Sequence, residues 1–409
     1  MGLLGRLLGR PPSPDEFAKA VCRRFRQAGA ELDPAYDREQ FSIVVEQPDH
    51  VVNLANFYAE HRTLDRSARK EHIDTIVRAI LSARLEPPEE WEDAKPDIRP
   101  KVWSRAGLDL PRLKSRLKGG PGDVGGPLMP LGEHLYLGLV YDLPRAMQSI
   151  PDERLESWGI TIYEALEAAK HELEQIPFAL MGTGEGFYIF NTGDHYDSSR
   201  LILVEQFERL DLKGRPVVLV GNRDSLFLTG SEDSEGLRLL VELGETALTE
   251  EPRPLSPFPL IFEDGHWEDW DFPVGHPSYS RLRELQTGYL ASTYNDQLPL
   301  LQELYEQRGE DVFFANYIAL KAKESGESIE LALWSKGVDS ILPQAEYLLL
   351  KDKADAPPLA AARFDSVRAE VGNLMELVED LYPPRYRVRD FPDEAQLKQL
   401  GVDSRLAGF

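Results

Sequence analysis

The segment Gly186–Phe207 reads GFYIFNTGDHYDSSRLILVEQF and joins a strand pattern to a helix pattern through a polar cluster. Its apolar run, Phe187–Phe190, predicts a strand. A polar turn follows at Asn191–Asp194, and His195–Arg200 then opens a stretch whose apolar residues recur at helical spacing. Polar groups on connections between regular elements often carry function. We therefore take this segment as the candidate functional focus of the chain.

Regular patterns extend on both sides of this segment. Upstream, His134–Tyr141 predicts a strand that ends at Asp142–Pro144 in a turn starting a short helix, and Ile162–Ile176 predicts a longer helix. Downstream, Val217–Val220 and Leu226–Leu228 predict a β-hairpin. Helices and short strands mixed in this order predict an α+β fold, with a further α/β unit appended at the C-terminus.

The length of the chain predicts several structural units, because 409 residues exceed one ordinary hydrophobic core. Residues 86–127 are rich in Pro, Gly and charge, which is typical of a linker, and a strand or helix near Trp103–Leu117 is an alternative within it. We expect four parts in chain order: a disordered or amphipathic tail over 1–12, an N-terminal helical part with its linker over 13–127, an α+β core over 128–276, and a C-terminal α+β domain over 277–409.

Composition argues against several classes of function. The formal net charge of −24 and the isoelectric point near 4.8 disfavour a nucleic-acid-binding protein. We interpret the alternating arginines of Arg385–Arg389 as lying on the solvent-exposed face of a strand. Cys22 is the one cysteine, so neither an internal disulfide nor a cysteine-based zinc site can form. His61 and His72 have no third ligand at a recognisable spacing, and we expect neither a metal nor a cofactor.

The same features predict where the protein resides. A chain of this size without disulfides fits a reducing compartment. No window approaches 18 uninterrupted apolar residues, and the N-terminal Leu and Arg residues are too interrupted for a signal peptide. We expect a cytoplasmic protein without stable membrane insertion.

The run Gly193–Leu203, GDHYDSSRLIL, resembles the GYDASRIL-type segment of the YtpQ-like family of uncharacterised bacterial proteins. The two strands within Val217–Gly230 and the later turn at Asp264–Gly265 are also similar to family elements. The resemblance covers roughly residues 13–270. It implies an α+β fold and a bacterial cytoplasmic setting, and it implies no activity. The family's Gly-Tyr is His195–Tyr196 here, and the residues from 277 onward are an addition that shorter members lack.

Six residues of the polar cluster are the candidate ligand-binding residues: Asn191, His195, Tyr196, Asp197, Ser198 and Arg200. We favour a non-catalytic binding protein whose groove lies beside them and takes an unknown protein or a small anionic ligand. The alternatives are a hydrolase that uses His195 with Asp197 or Ser198, and an anion or carboxylate site at the helix start near Arg200. The structural alternative is that Asp197 or Ser198 caps the helix and Arg200 pairs with a nearby acid.

Overall fold

The computed structural model confirms an α+β fold and describes most of the chain. The expected tail at 1–12 lies outside the described residues except for Pro12. The structure describes residues 12–28, 33–45, 51–82, 85–120, 122, 126–143, 146–177, 180–182, 186–207, 209–321, 328–353 and 356–406.

The N-terminal unit packs helices against a small antiparallel sheet. Its elements are α1 (Pro14–Gln27), β1 (Ala35–Asp37), β2 (Ser42–Val44), β3 (Val51–Asn53), α2 (Ala55–Thr63) and α3 (Ala68–Ser82). Ser13 begins α1 through a capping box with Glu16. One face of α1, including Phe17 and Phe25, packs on Ile76 and Val77 of α3 in a separate apolar core.

The next sheet contains strands on both sides of the boundary predicted at 127/128. Its region comprises α4 (Trp91–Ala94), β4 (Ile98–Ser104), α5 (Arg105–Leu117), β5 (Met129–Leu131), β6 (Leu135–Leu143), β7 (Ala146–Ser149), α6 (Asp152–Trp158) and α7 (Ile162–Glu174). β4 pairs with β6 along its whole length, from Ile98 opposite Tyr141 to Ser104 opposite Leu135. The linker interpretation is therefore wrong for 98–102, whereas the regular element expected near Trp103–Leu117 is present as the end of β4 and as α5.

Two further differences from the predicted elements lie in the same region. Pro100 lies inside β4, and the strand tolerates it because β4 is at the edge of its sheet. β6 continues through Asp142 to Leu143 and pairs with β7, so the helix predicted after Asp142–Pro144 is absent from the described residues there. Pro144 itself lies outside them.

A six-stranded antiparallel sheet follows, in the order β13-β12-β10-β11-β9-β8. Its elements are β8 (Leu180–Gly182), β9 (Tyr188–Phe190), α8 (Val204–Phe207), β10 (Pro216–Asn222), β11 (Ser225–Gly230), α9 (Ser234–Thr249), β12 (Leu260–Glu263) and β13 (His266–Asp269). The predicted hairpin is confirmed as β10–β11. One face of this sheet packs on α9, and the other shares an apolar core with α7 and β6.

The C-terminal unit begins with the long helix α10 (Tyr279–Gln307). It continues with β14 (Phe313–Phe314), β15 (Ile318–Lys321), β16 (Ser328–Ser335), β17 (Ser340–Pro343), β18 (Tyr347–Lys351), β19 (Ala360–Arg363), α11 (Phe364–Val371), β20 (Glu376–Leu377), β21 (Arg385–Val388) and α12 (Glu394–Leu400). These strands form two four-stranded sheets around a core that contains Trp334. No helix in the described part of the chain has both the length and the apolar character needed to cross a bilayer.

Arg385 does not lie on the wet face of β21, contrary to the interpretation of the alternating arginines. Its side chain is buried, donates a hydrogen bond to the carbonyl of Tyr294, and lies 4.6 Å from the centroid of the Tyr294 ring. Arg387 is mostly buried and pairs with Glu310 and Asp339. The alternation failed as a guide because β21 lies between β17 and β20 and is also in contact with α10.

Candidate functional site

A cleft of about 880 Å³ lies between the N-terminal unit and the two sheets of the core. Its volume is in the range of small-molecule sites. The two walls differ in chemistry. The N-terminal unit contributes a mainly apolar wall, which includes Val52, Phe57, Ile76, Ala79 and Ile80. The core contributes a charged wall, which includes Lys101, Asp142, His195, Arg223, Asp224 and Arg253.

The tip of the β10–β11 hairpin presents Arg223 and Asp224 to the cleft. The side chain of Asn222 holds the tip, since its Oδ1 accepts hydrogen bonds from the Asp224 amide at 2.9 Å and from Ser225 Oγ at 2.8 Å. The Arg223 amide donates to the carbonyl of Arg253 at 3.3 Å, which places the two arginines side by side. Arg253 has a φ of 58°, a strained value for a residue with a side chain. The chain thus maintains an unfavourable backbone conformation where it brings these cations together.

His195 lies at the rim of the cleft and belongs to this cluster. Its side chain is 54% exposed, and its Nδ1 lies 2.9 Å from Asp224 Oδ1 and 2.8 Å from Arg223 Nη2. One ring nitrogen cannot donate to Asp224 and accept from Arg223 at once, so the two contacts belong to different protonation states. Burial opposes ionisation of Asp224, but hydrogen bonds from His195 and Arg223 outweigh it and hold the pKa of that carboxyl well below its usual range. Asp224 therefore stays charged and orients the imidazole.

Lys101 projects into the cleft from β4 and differs from the two arginines in having no acidic partner. Arg223 pairs with Asp224, and Arg253 pairs with Glu60 at 2.7 Å. Within the described ranges, no carboxylate lies within ion-pair distance of Lys101 Nζ, which lies 5.1 Å from the centroid of the Trp103 ring. Burial first, and then repulsion from Arg223 and Arg253, lower the pKa of Lys101 to about 8. Lys101 is thus a partly buried cation without a carboxylate in direct contact among the described residues, although Asp224 attracts it at longer range.

A chain of polar contacts runs from Arg253 into the N-terminal unit. Glu60 forms an ion pair with Arg253 and lies 3.4 Å from His72 Nε2, and His72 Nδ1 lies 3.2 Å from His61 Nδ1. If His72 donates to Glu60, its Nδ1 is free to accept the proton of His61 Nδ1. His61 also packs against the Phe17 ring at 4.7 Å between centroids. The charged wall is therefore linked by hydrogen bonds to the core of the N-terminal unit.

Acid is expected to destabilise the protein through His61. Burial first, and then repulsion from His72 and Arg69, lower the pKa of His61 from 6.5 to about 4. Below pH 6.5 the unfolded chain binds a proton that the folded state refuses, so stability falls between pH 6.5 and about 4, by up to about 3 kcal/mol. Urea unfolding across this pH range measures the free energy of unfolding, which should depend less steeply on pH in His61→Asn than in the wild type. His266→Asn is the control because His266 is 63% exposed; equal slopes in all three proteins contradict the expectation.

The structure separates the six predicted site residues. Of these, His195 alone is part of the cleft lining. Asn191 is exposed outside that lining, and Tyr196 is buried with its hydroxyl directed towards Asp142, whose charge, together with burial, raises the pKa of Tyr196. Ser198 is buried, and the oxygens of Asp197 accept from Thr192 and Gly193. His195 thus pairs with Asp224, and the pairs His195–Asp197 and His195–Ser198 are not observed.

The predicted helix start is a 3-10 helix at Asp197–Ile202, and neither Asp197 nor Ser198 caps it. The pairing of Arg200 with a nearby acid is confirmed, since its guanidinium contacts both Asp194 and Asp197. Arg200 is 0% exposed, so this guanidinium is closed to a ligand in the observed conformation. The cations that do face the cleft lie elsewhere in the chain, at Lys101, Arg223 and Arg253.

The chain is similar in sequence to several bacterial proteins. A UPF0354 protein of Bacillus cytotoxicus is 22% identical over 255 residues, which are 59% of this chain and 88% of that protein. Further UPF0354 proteins are similar to this chain. One from Bacillus cereus is 22% identical over 266 residues, covering 62% of this chain and 90% of that protein. A Listeria innocua member is 26% identical over 149 residues, and the match spans only 54% of its length.

The UPF0354 proteins form an uncharacterised bacterial family, so the similarity assigns no activity to the cleft. No family model matches the chain. No solved structure matches it either. In the part of the chain that the structure describes, no group of three or more His, Cys, Asp or Glu side chains is arranged to hold a metal ion.

Proposed function

We propose that the protein binds a small anionic molecule with an apolar body in the cleft between the N-terminal unit and the core. The acid group lies against Lys101, Arg223 and Arg253, and the body lies against the wall formed by α2, α3 and β3. The observation that carries this proposal is Lys101: a partly buried ammonium beside two guanidiniums, with no carboxylate of its own among the described residues.

Electrostatics supports an anion at this place. Three cations gathered in a partly buried site repel one another. Burial first, and then repulsion from Arg223, lower the pKa of Arg253, and the pKa of Lys101 is lowered by the same two causes. Glu60 and Asp224 pair directly with the two arginines, whereas Lys101 feels Asp224 only at longer range. An added carboxylate or phosphate would relieve the remaining charge, and hydrogen bonds to charged groups contribute about 1.5–3 kcal/mol each. The cleft lining places three cations, Lys101, Arg223 and Arg253, beside three carboxylates, Glu60, Asp142 and Asp224, so it is far less negative than a protein of net charge −24 is as a whole.

The apolar wall supports the second half of the ligand. Phe57 in this wall is partly exposed, whereas Ile76 and Ile80 are buried side chains of the N-terminal core that also line the cleft. Each buried methylene group of a ligand contributes about 0.8 kcal/mol. A molecule with one acidic end and an apolar chain or ring therefore matches the cleft better than a wholly polar anion.

This proposal refines the earlier hypotheses. The small anionic ligand is kept, but its site moves from the Arg200 turn to the cleft rim at His195. Hydrolysis by His195 with Asp197 or Ser198 is not favoured, since Asp197 is engaged by Arg200 and Ser198 is buried. A cytoplasmic setting remains part of the proposal, supported by the single, buried cysteine. Closer kinship to the YtpQ-like family is likewise proposed, on the Gly193–Leu203 run.

Octanoate is expected to bind the purified protein saturably, and Lys101→Met is expected to weaken that binding roughly ten- to hundredfold. The factor corresponds to the loss of one hydrogen bond between charged groups. Isothermal titration calorimetry with octanoate, octan-1-ol and octylamine measures the contribution of the acid group. Binding of octanoate should weaken with added salt, and octylamine should show no saturable binding.

The matched control is Lys170→Met, because Lys170 is also partly buried but pairs with Glu205 on α8. It should leave octanoate binding unchanged. Equal affinity for octanoate and octan-1-ol, or equal binding by wild type and Lys101→Met, contradicts the proposal. Circular dichroism and the urea midpoint of each variant exclude loss of folding as the cause.

A further inference from the structure

We infer that Lys101 is a nucleophilic amine that condenses with the carbonyl group of an oxo acid held in the cleft, forming an imine. This inference rests on the proposed function, since the acid group must first be held by the arginines. It goes beyond that function by assigning a covalent step and a chemical class of substrate, an oxo carboxylic acid with an apolar body.

The position of Lys101 on β4 directs its amine into the cleft. Burial alternates along the strand, with Ile98, Pro100, Val102 and Ser104 buried, while Arg99, Lys101 and Trp103 are partly exposed on the other face. The residue opposite Lys101 on β6 is Gly138, and Leu128 and the Trp103 ring fill the space that a side chain there would take. The Trp103 ring lies beside the amine at 5.1 Å and supplies an uncharged neighbour. No acid anchors the amine among the described residues.

The surroundings of the amine favour its neutral form, the form that attacks a carbonyl. An amine becomes nucleophilic near neutral pH when it is desolvated or placed beside other cations. Both conditions hold here, because burial and the guanidiniums of Arg223 and Arg253 lower the pKa of Lys101 to about 8. At pH 8 about half of Lys101 is neutral, whereas a lysine of ordinary pKa is neutral in fewer than about one molecule in a hundred.

The step is balanced without any oxidant or other co-reactant. The lone pair of Lys101 Nζ forms a bond to the carbonyl carbon while the C=O π bond breaks, and a proton moves from nitrogen to the oxygen. The resulting hydroxyl takes a second proton and leaves as water, and nitrogen loses its remaining proton as C=N forms. His195, oriented by Asp224 at 2.9 Å, is the imidazole of the same cleft that can carry these protons.

Borohydride trapping tests this chemistry. Wild-type protein incubated with 2-oxooctanoate and sodium cyanoborohydride should gain one reduced adduct, located on the Lys101 peptide by mass spectrometry. The adduct should form roughly a hundredfold faster at Lys101 than at surface lysines, from the difference in neutral amine. Its rate should rise between pH 7 and 9. The charged and titrating groups that line the cleft with Lys101 are Glu60, His72, Asp142, His195, Arg223, Asp224 and Arg253.

The controls separate failure of the chemistry from failure of binding. Lys170→Met should be labelled at Lys101 like the wild type, and Lys101→Met should lose the single adduct. Excess octanoate should protect Lys101 of the wild type from labelling by 2-oxooctanoate. This control needs no variant. Labelling spread evenly over the surface lysines, or no adduct at Lys101 while octanoate binds, overturns the imine inference and leaves the proposed function standing. Absence of both octanoate binding and labelling overturns the two together.

Discussion

Arg200→Met is expected to lower the free energy of unfolding by about 3–5 kcal/mol, because it breaks a buried ion pair by removing one partner. Arg200 and Asp197 are both 0% exposed, with 3.3 Å between Nη1 and Oδ1, and Arg200 also contacts Asp194. Methionine fills much of the same volume but leaves the Asp197 carboxylate buried without its cation. Thr192 and Gly193 still donate to Asp197, which limits the loss.

Urea unfolding followed by circular dichroism measures this effect. The comparison is Lys170→Met, which removes a partly exposed ion pair with Glu205 and should cost less than about 1 kcal/mol. Similar losses in the two variants would show that the Arg200 cluster is no more important to stability than a surface pair. A loss confined to Arg200→Met would explain why this turn holds its shape beside His195 without itself being a ligand site.

Trp334→Ala is expected to destabilise the protein by about 3–5 kcal/mol, whereas Trp334→Phe should cost only about 1 kcal/mol. Trp334 is 0% exposed on β16 and packs in the core of the C-terminal unit, with Phe391 at 5.9 Å between ring centroids. Alanine leaves a large cavity. The indole N–H has no hydrogen-bond partner in the described part of the chain, so phenylalanine removes an unsatisfied donor along with some ring volume.

Chemical denaturation of the two variants under the same conditions checks this contrast. The circular dichroism spectrum of each folded variant must first match that of the wild type. Near-equal losses for phenylalanine and alanine would mean that the indole nitrogen is satisfied in solution. In that case the polar atom, and not the ring volume, would dominate the contribution of Trp334.

Local sequence patterns were sufficient to predict the elements around the polar cluster. The run Phe187–Phe190 and the pair Val217–Val220 and Leu226–Leu228 became strands β9, β10 and β11. Their patterns succeed because apolar side chains recur at the period of the element that buries them. The sequence pattern did not predict the start of β4, because Pro100 and the charged residues around it are typical of a connection. A strand at the edge of a sheet tolerates both.

The cleft could not be predicted in the same way. Lys101, His195, Arg223 and Arg253 are spread over more than 150 positions, and only the pairing of β4, the turn of the β10–β11 hairpin and the loop before β12 bring them together. None of the three cations, Lys101, Arg223 and Arg253, belongs to a local motif. The turn at Asn222–Asp224 was visible in the sequence, but nothing marked its arginine as a neighbour of Arg253. His195 was found because it lies in a conspicuous polar run.

The long helix α10 has a consequence for the geometry of the cleft, although it does not line it. At 1.5 Å per residue its 29 residues span about 43 Å. Near its start, Leu282 belongs to the apolar core that α9 forms with the β10–β11 hairpin, and near its end Leu301 belongs to the same apolar core as Leu113 of α5, the helix that directly follows β4 and Lys101. α10, with Pro299 inside it, thus joins the structural supports of two of the cations. Under the proposed function, substitutions on α10 are therefore expected to change which ligand sizes the cleft accepts, although α10 does not line the cleft.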